Sequence, residues 1–228
     1  MKTPRVVYWD IDGTLIRGNG AGVEAWLRAW KDCFDSDVTI DGIRWAGRTD
    51  PYISLLFFEK MGMEEDRQQV SRFLDRYVDF LPEELERAEG SLLPGISGIL
   101  NRVQAIPGLD QGLLTGNVER GARTKLRFFE IWDHFAFGSF ADGVYDRDEL
   151  APVALELARK HVDPRLRGED LLVVGDTPFD VQCGKVIGAQ TLAVATGYAP
   201  RESLEEAAPD WLLDDLSDVD GFFRLIGR

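Results

Sequence analysis

The chain has 228 residues, enough for one good-sized domain or for a core that carries a smaller insert. It is 44% apolar and 29% charged, as ordinary globular proteins are, and its formal net charge of −14 argues against nucleic acid or anionic membrane as a partner. Neither His134 nor His161 stands beside a nucleophile motif, and Cys33 and Cys183 lack metal-ligand spacing, so Ser-His-Asp hydrolysis, a multi-histidine metal site and a disulfide scaffold are all disfavoured.

The N-terminus has no long apolar run and no small-residue cleavage site, which with the two isolated thiols leads us to expect a cytoplasmic protein. Val6 to Trp9 is a short β-prone run that stops at Asp10 and Gly13, a buried strand ending in a loop. From Val23 to Phe34, around Ile53 to Met61, and from Val70 to Leu85, apolar residues recur every three or four. That spacing predicts three amphipathic helices, the last bent or restarted at Pro82. Trp26, Trp30 and Trp45 belong to this block and are expected to pack within it, the alternative being that they line its interface with the rest of the chain.

After Pro94-Gly95 the pattern alternates. Helices are expected over Ile96–Ile106, Val118–Phe129, Glu149–Lys160, Val181–Ile187 and Val219–Ile226. Strands are expected at Gly112–Leu114, Phe135–Phe137, Leu171–Val174, Thr191–Ala195 and Trp211–Leu213. Alternation of this kind implies an α/β fold: a Rossmann-like open parallel sheet with helices on both faces, plus a helical insert after the first strand. The expected boundaries are 1–17 and 91–228 for the core and 18–90 for the insert. The 18–20 and 89–91 stretches would be the hinges between them.

Three strand ends are rich in polar groups. They read Asp10-Ile11-Asp12-Gly13-Thr14, Thr115-Gly116-Asn117 and Gly175-Asp176-Thr177-Pro178-Phe179-Asp180. In an open parallel sheet, ligands bind outside the carboxyl ends of the strands. If these strands are neighbours, four carboxylates meet in one crevice and repel. A divalent cation such as Mg²⁺, which takes oxygen ligands and binds phosphate, resolves that conflict.

These motifs, in this order, resemble those of the haloacid dehalogenase superfamily of phosphatases, and the resemblance runs over essentially the whole chain. It implies that Asp10 is the nucleophile and that Asp12 is the acid and then the base. Mg²⁺ would be held by Asp10, the backbone carbonyl of Asp12, Asp176 and Asp180. Thr115, Gly116 and Asn117 would bind the phosphoryl group. The family's basic third motif has no Lys-Pro counterpart here. Arg147 is the candidate for that role, and Lys125 is its rival.

Residues 18–90 resemble the helical cap of this superfamily, and Gly47-Arg48-Thr49-Asp50 resembles its substrate-facing loop, with Arg48 a candidate contact to the part of the substrate that is not phosphate. Asp12 argues against carbon–halogen cleavage, because a dehalogenase needs no such acid. The expected activity is hydrolysis of a small phosphorylated metabolite by a monomer or homodimer. A phosphomutase of the β-phosphoglucomutase type, or a non-catalytic ligand-binding member, are the alternatives.

Overall fold

The computed structural model describes residues 2–64 and 66–228. Its core is a six-stranded sheet in which every pairing is parallel. The first strand, β1 (Val6–Trp9), is fully buried and lies between β4 (Asp110–Leu114) and β6 (Leu171–Gly175). Outside these lie β5 (Gly138–Ser139) on one edge, and β7 (Gln190–Val194) and β8 (Trp211–Leu213) on the other. Trp9 is level with Leu113 and with Val174. The chain therefore leaves the sheet at nearly the same height at Asp10, Thr115 and Asp176.

Alternation along β1 sends its side chains to two cores. Val7 and Trp9 pack with α4 (Ile96–Ala105), α5 (Glu119–Phe128) and α9 (Val219–Leu225). Val6 and Tyr8 pack with α6 (Leu150–His161) and with Cys183 of α7 (Pro178–Val186). Both faces are covered, as the α/β pattern predicts. A short helix, α8 (Arg201–Glu206), joins β7 to β8.

The segment after β1 forms a helical block with its own core. It comprises α1 (Ala21–Phe34), α2 (Asp50–Lys60) and α3 (Arg67–Ala88). Trp26, Trp30, Phe57, Phe58 and Phe73 are buried there in a set of stacked and edge-on rings, with centroids 5.1–5.9 Å apart. Two short strands, β2 (Ile16–Arg17) and β3 (Ser91–Leu92), pair antiparallel where the chain enters and leaves the block. Beside them the 18–20 and 89–91 stretches lie at the surface, joined by an Asn19 Nδ2 donor to the Glu89 carbonyl at 3.1 Å.

Four local expectations need correction. Phe135–Phe137 is not a strand. Phe135 and Phe137 alternate because they enter different cores, and the paired strand starts at Gly138, where a Cβ would meet the Phe140 ring at 2.6 Å. Helix α3 does not restart at Pro82 but continues through it to Ala88, with Leu81 and Leu85 buried on either side of the proline. Helix α2 buries Ile53, Phe57 and Phe58 and leaves Met61 exposed. Helix α7 starts three residues early, at Pro178, because Thr177 and Asp180 form a reciprocal cap around a proline in the first turn. Among the described residues, no helix is long and apolar enough to cross a membrane.

Candidate active site

Asp10 is the first residue beyond β1. Its N–H donates to the Val174 carbonyl at 3.0 Å, which anchors it to β6, and its side chain is buried. Carboxylate oxygens of Asp10, Asp176 and Asp180 lie within 4.8 Å of one another. Asp176 follows β6, and one of its oxygens accepts from the Thr14 hydroxyl at 3.3 Å. Asp180 is held by the α7 cap, where one oxygen accepts from the Thr177 N–H at 2.9 Å and hydroxyl at 2.7 Å.

The backbone closes tightly around Asp176. Gly13 has a φ of +86°, and a Cβ there would lie 2.6 Å from the Asp176 carboxylate. A Cβ on Gly197 would lie 1.6 Å from the same group. Glycine is required at both positions so that two loops can approach one carboxylate.

Arg147 lies in the single 3₁₀ turn that opens α6, and it is buried. Its guanidinium lies 3.1 Å from Asp10, donates to Asp180, and donates at 2.9 Å to the Gly47 carbonyl of the helical block. The Cys183 thiol supports the turn by donating to the Arg147 carbonyl at 3.2 Å. Burial pushes that thiol up to about 12, as expected of an inert cysteine. Lys125 turns the other way: its ammonium is 2.6 Å from Asp12 and 2.7 Å from the Asn117 side-chain oxygen. The two basic residues therefore serve different carboxylates.

Thr115 is buried beside Asp10, and its hydroxyl supports the ionised carboxyl. It also accepts from the Asn117 side-chain amide at 2.9 Å. Gly116 lies under the block's 47–50 loop. A Cβ there would meet the Arg48 carbonyl at 2.4 Å, and its own carbonyl accepts from the Asp50 N–H at 2.7 Å.

Asp10, Asp12, Gly116, Asn117, Arg147 and Asp176 line the floor of a cavity of about 300 Å³, roofed in part by Trp26, Trp45 and Arg48 of the block, while Thr115 and Asp180 are buried outside its lining. The Arg48 guanidinium sits 4.3 Å from the Phe179 ring centre and 4.8 Å from that of Tyr52. Trp45 meets Tyr198 edge-on at 4.7 Å across the rim. Trp30 is wholly buried, and neither histidine lines the cavity.

The sequence reading missed the Thr196-Gly197-Tyr198 loop. The same strand-end rule, applied to β7, finds it. It also missed Asp50 as a clamp. This buried carboxylate accepts from the Val118 N–H at 2.9 Å and so caps α5 from across the cleft.

Electrostatics follow from this crowding. Burial lifts Asp10 to about 6, and Asp180 and Asp12 add to the rise, against Arg147 and Thr115. Asp176 is raised well above the usual range by burial and by Asp180 and Asp10. Three buried carboxylates face a single guanidinium, which leaves two negative charges unbalanced. An all-oxygen donor set carrying that excess suits a hard divalent cation.

A pH dependence follows. Asp10 binds protons more tightly when folded than at its ordinary value of 3.8. The folded state is then the more protonated one from about pH 4 to about pH 6, and stability falls as pH rises through that window. Asp50, lifted to about 7 chiefly by burial, extends the same trend. In EDTA the melting temperature should decline over about pH 4–7, and Asp10→Asn should decline less. A wild-type profile rising through that window would contradict the assignment.

The haloacid dehalogenase-like hydrolase family model matches residues 4–188. Phosphoglycolate phosphatase 1 of Pseudomonas aeruginosa is 25% identical, over 96% of this chain and 79% of its own length. The pyrophosphatase PpaX of Anoxybacillus flavithermus is 24% identical, over 93% of this chain and 94% of its own. The solved structure of CbbY from Rhodobacter sphaeroides, in complex with phosphate, superposes with a TM-score of 0.77 at 15% identity, over 95% of this chain and 96% of that one. At such identity the structural likeness is one of fold.

Proposed function

Because this chain belongs to the haloacid dehalogenase-like hydrolases, we propose that it is a Mg²⁺-dependent phosphatase that hydrolyses a small phosphate monoester through an aspartyl-phosphate on Asp10. The observation that carries this reading is the paired arrangement of two aspartates at the end of β1. Asp10 is buried against Arg147, while Asp12, two residues on, faces the cavity from the hold of Lys125 and Asn117. One carboxylate is thus set for attack and the other for proton transfer. The phosphatase and pyrophosphatase relatives support the same reaction class.

In the first step an Asp10 oxygen bonds to phosphorus while the bond to the leaving oxygen breaks, and Asp12 gives that oxygen its proton. In the second, Asp12 takes a proton from a water that attacks the same phosphorus, which frees phosphate and restores Asp10. Arg147, in the role of the basic third motif, offsets the charge of Asp10 and of the phosphoryl oxygens. The Thr115 hydroxyl and the Gly116-Asn117 backbone act as phosphoryl donors.

Asp10, Asp176 and the Asp12 backbone carbonyl would hold Mg²⁺, with Asp180 binding directly or through water. When bound, the cation supplies positive charge to the phosphoryl oxygens and relieves the repulsion among the carboxylates. Residues 18–90 act as a cap over the 1–17 and 91–228 core and exclude water from the reacting groups. Arg48 meets the part of the substrate that is not phosphate.

Phosphate release from p-nitrophenyl phosphate should require Mg²⁺ and cease in EDTA. If folded protein with Mg²⁺ releases no phosphate from this probe, phosphoglycolate, pyrophosphate or a panel of sugar phosphates, the reading is wrong.

A further inference from the structure

The proton transfers just described depend on where the Asp12 carboxyl points. Asp12 sits on a loop and its side chain is 38% exposed, so burial alone does not fix its rotamer. Three polar contacts do. One oxygen, Oδ2, takes both the Lys125 ammonium at 2.6 Å and the Asn117 amide at 2.9 Å. Lys125 also donates to the Asn117 side-chain oxygen at 2.7 Å, which closes a triangle of contacts. Among the described residues, no hydrogen bond is made to Oδ1.

Lys125 is unusual for a lysine on a surface helix. Lysines normally extend their ammonium to water, and a buried one persists only when paired. Here the side chain is 6% exposed and points inward from α5. Burial opposes its charge, but Asp12, Tyr77 and Asp50 outweigh that effect. Tyr77 and Asp50 belong to the helical block, and Asp50 also accepts from the Val118 N–H at the start of α5. The lysine is thus held between the catalytic loop on one side and the block on the other.

We propose that Lys125 is a positioning residue that pins one oxygen of Asp12 so that the other faces the leaving oxygen, and that Asp50 ties this alignment to the seated helical block. The proposal rests on the phosphatase reading above. It gives the chain two basic residues with separate tasks, Arg147 for the nucleophile and Lys125 for the acid.

A misplaced acid harms a poor leaving group more than a good one. An alkyl alkoxide needs a proton as it departs, whereas p-nitrophenolate leaves without one. The experiment compares kcat/KM for glycerol 2-phosphate and for p-nitrophenyl phosphate, with Mg²⁺, in wild type, Lys125→Met and Asp50→Asn. Lys125→Met should lose on the order of 100-fold on the alkyl ester and on the order of 10-fold or less on the aryl ester. Asp50→Asn keeps an acceptor for the Val118 N–H but removes the carboxylate charge that faces Lys125, so it should shift the ratio in the same direction by a smaller factor.

Equal losses on both esters in a folded Lys125→Met protein would overturn the proposal, since a purely structural role does not sense the leaving group. If that variant fails to fold, an unchanged ratio in Asp50→Asn overturns it instead. Folded wild type that releases phosphate neither from these two esters nor from phosphoglycolate, pyrophosphate or the sugar phosphates would overturn the underlying phosphatase reading as well.

Discussion

Asp10→Asn should lower kcat by on the order of 10⁴-fold or more and, in EDTA above about pH 6, should make the protein more stable than wild type. The loss follows from chemistry. An amide oxygen cannot form the acyl-phosphate, and the neighbouring Asp180 is taken up by Thr177 and Arg147. The gain follows from charge. A carboxyl lifted from 3.8 to about 6 makes the ionised folded state less favourable by about 3 kcal/mol. Asparagine fills the same space without that charge. For a chain of this size about 3 kcal/mol corresponds to roughly 6–12 °C in melting temperature. Turnover assays with Mg²⁺ and melting curves in EDTA check the two halves independently. Activity lost together with stability gained marks a group retained for chemistry.

Arg147→Met should do the opposite to stability and the same to catalysis. The variant removes the one guanidinium that contacts both Asp10 and Asp180. Leaving a buried charge without its partner costs about 3–5 kcal/mol. The deficit should grow as pH rises through about 6, because the bared Asp10 carboxylate must then ionise. Added Mg²⁺ should recover part of it by supplying the missing positive charge. On the catalytic side, loss of one preorganised charge at the phosphoryl site should cost on the order of 10²–10³-fold in kcat/KM. Arg147→Lys should fall between wild type and Arg147→Met, since a single ammonium cannot span Asp10, Asp180 and the Gly47 carbonyl as the fork does. Melting curves with and without Mg²⁺ read the first effect, and steady-state kinetics read the second. Equal stability of Arg147→Met and wild type in EDTA would mean that the buried carboxylates do not depend on this arginine.

Much of the architecture could be read in advance because β1, β4 and β6 each carry a short apolar run that stops at a polar break. Asp10, Thr115 and Asp176 fall at such breaks, so the parallel-sheet rule suffices to bring them together. The pairing of distant side chains could not be read. Lys125 is 113 residues from the aspartate it holds, and nothing local in its helix distinguishes it from a surface lysine. Asp50 likewise looks like a helix-start residue. Only the seating of the block on the Gly116–Val118 loop makes it a cap for α5. The Phe135–Phe137 error has the same origin. Two rings that alternate between separate cores have the spacing of a strand, although the pairing with β4 begins only at its end, where the Phe137 carbonyl accepts from the Leu113 N–H. The early start of α7 was within reach of local rules, because Thr177, Pro178 and Asp180 carry the cap and first-turn pattern.

The proposed acyl-phosphate on Asp10 offers the most direct test. Wild-type protein with Mg²⁺ and a turned-over phosphate ester would be quenched in acid within a single turnover, reduced with borohydride and digested. An acyl-phosphate on Asp10 is reduced to homoserine, so the account predicts a peptide carrying homoserine at position 10 that is absent without substrate. Turnover with no modified Asp10, or with reduction at Asp12 or Asp176 instead, would contradict it.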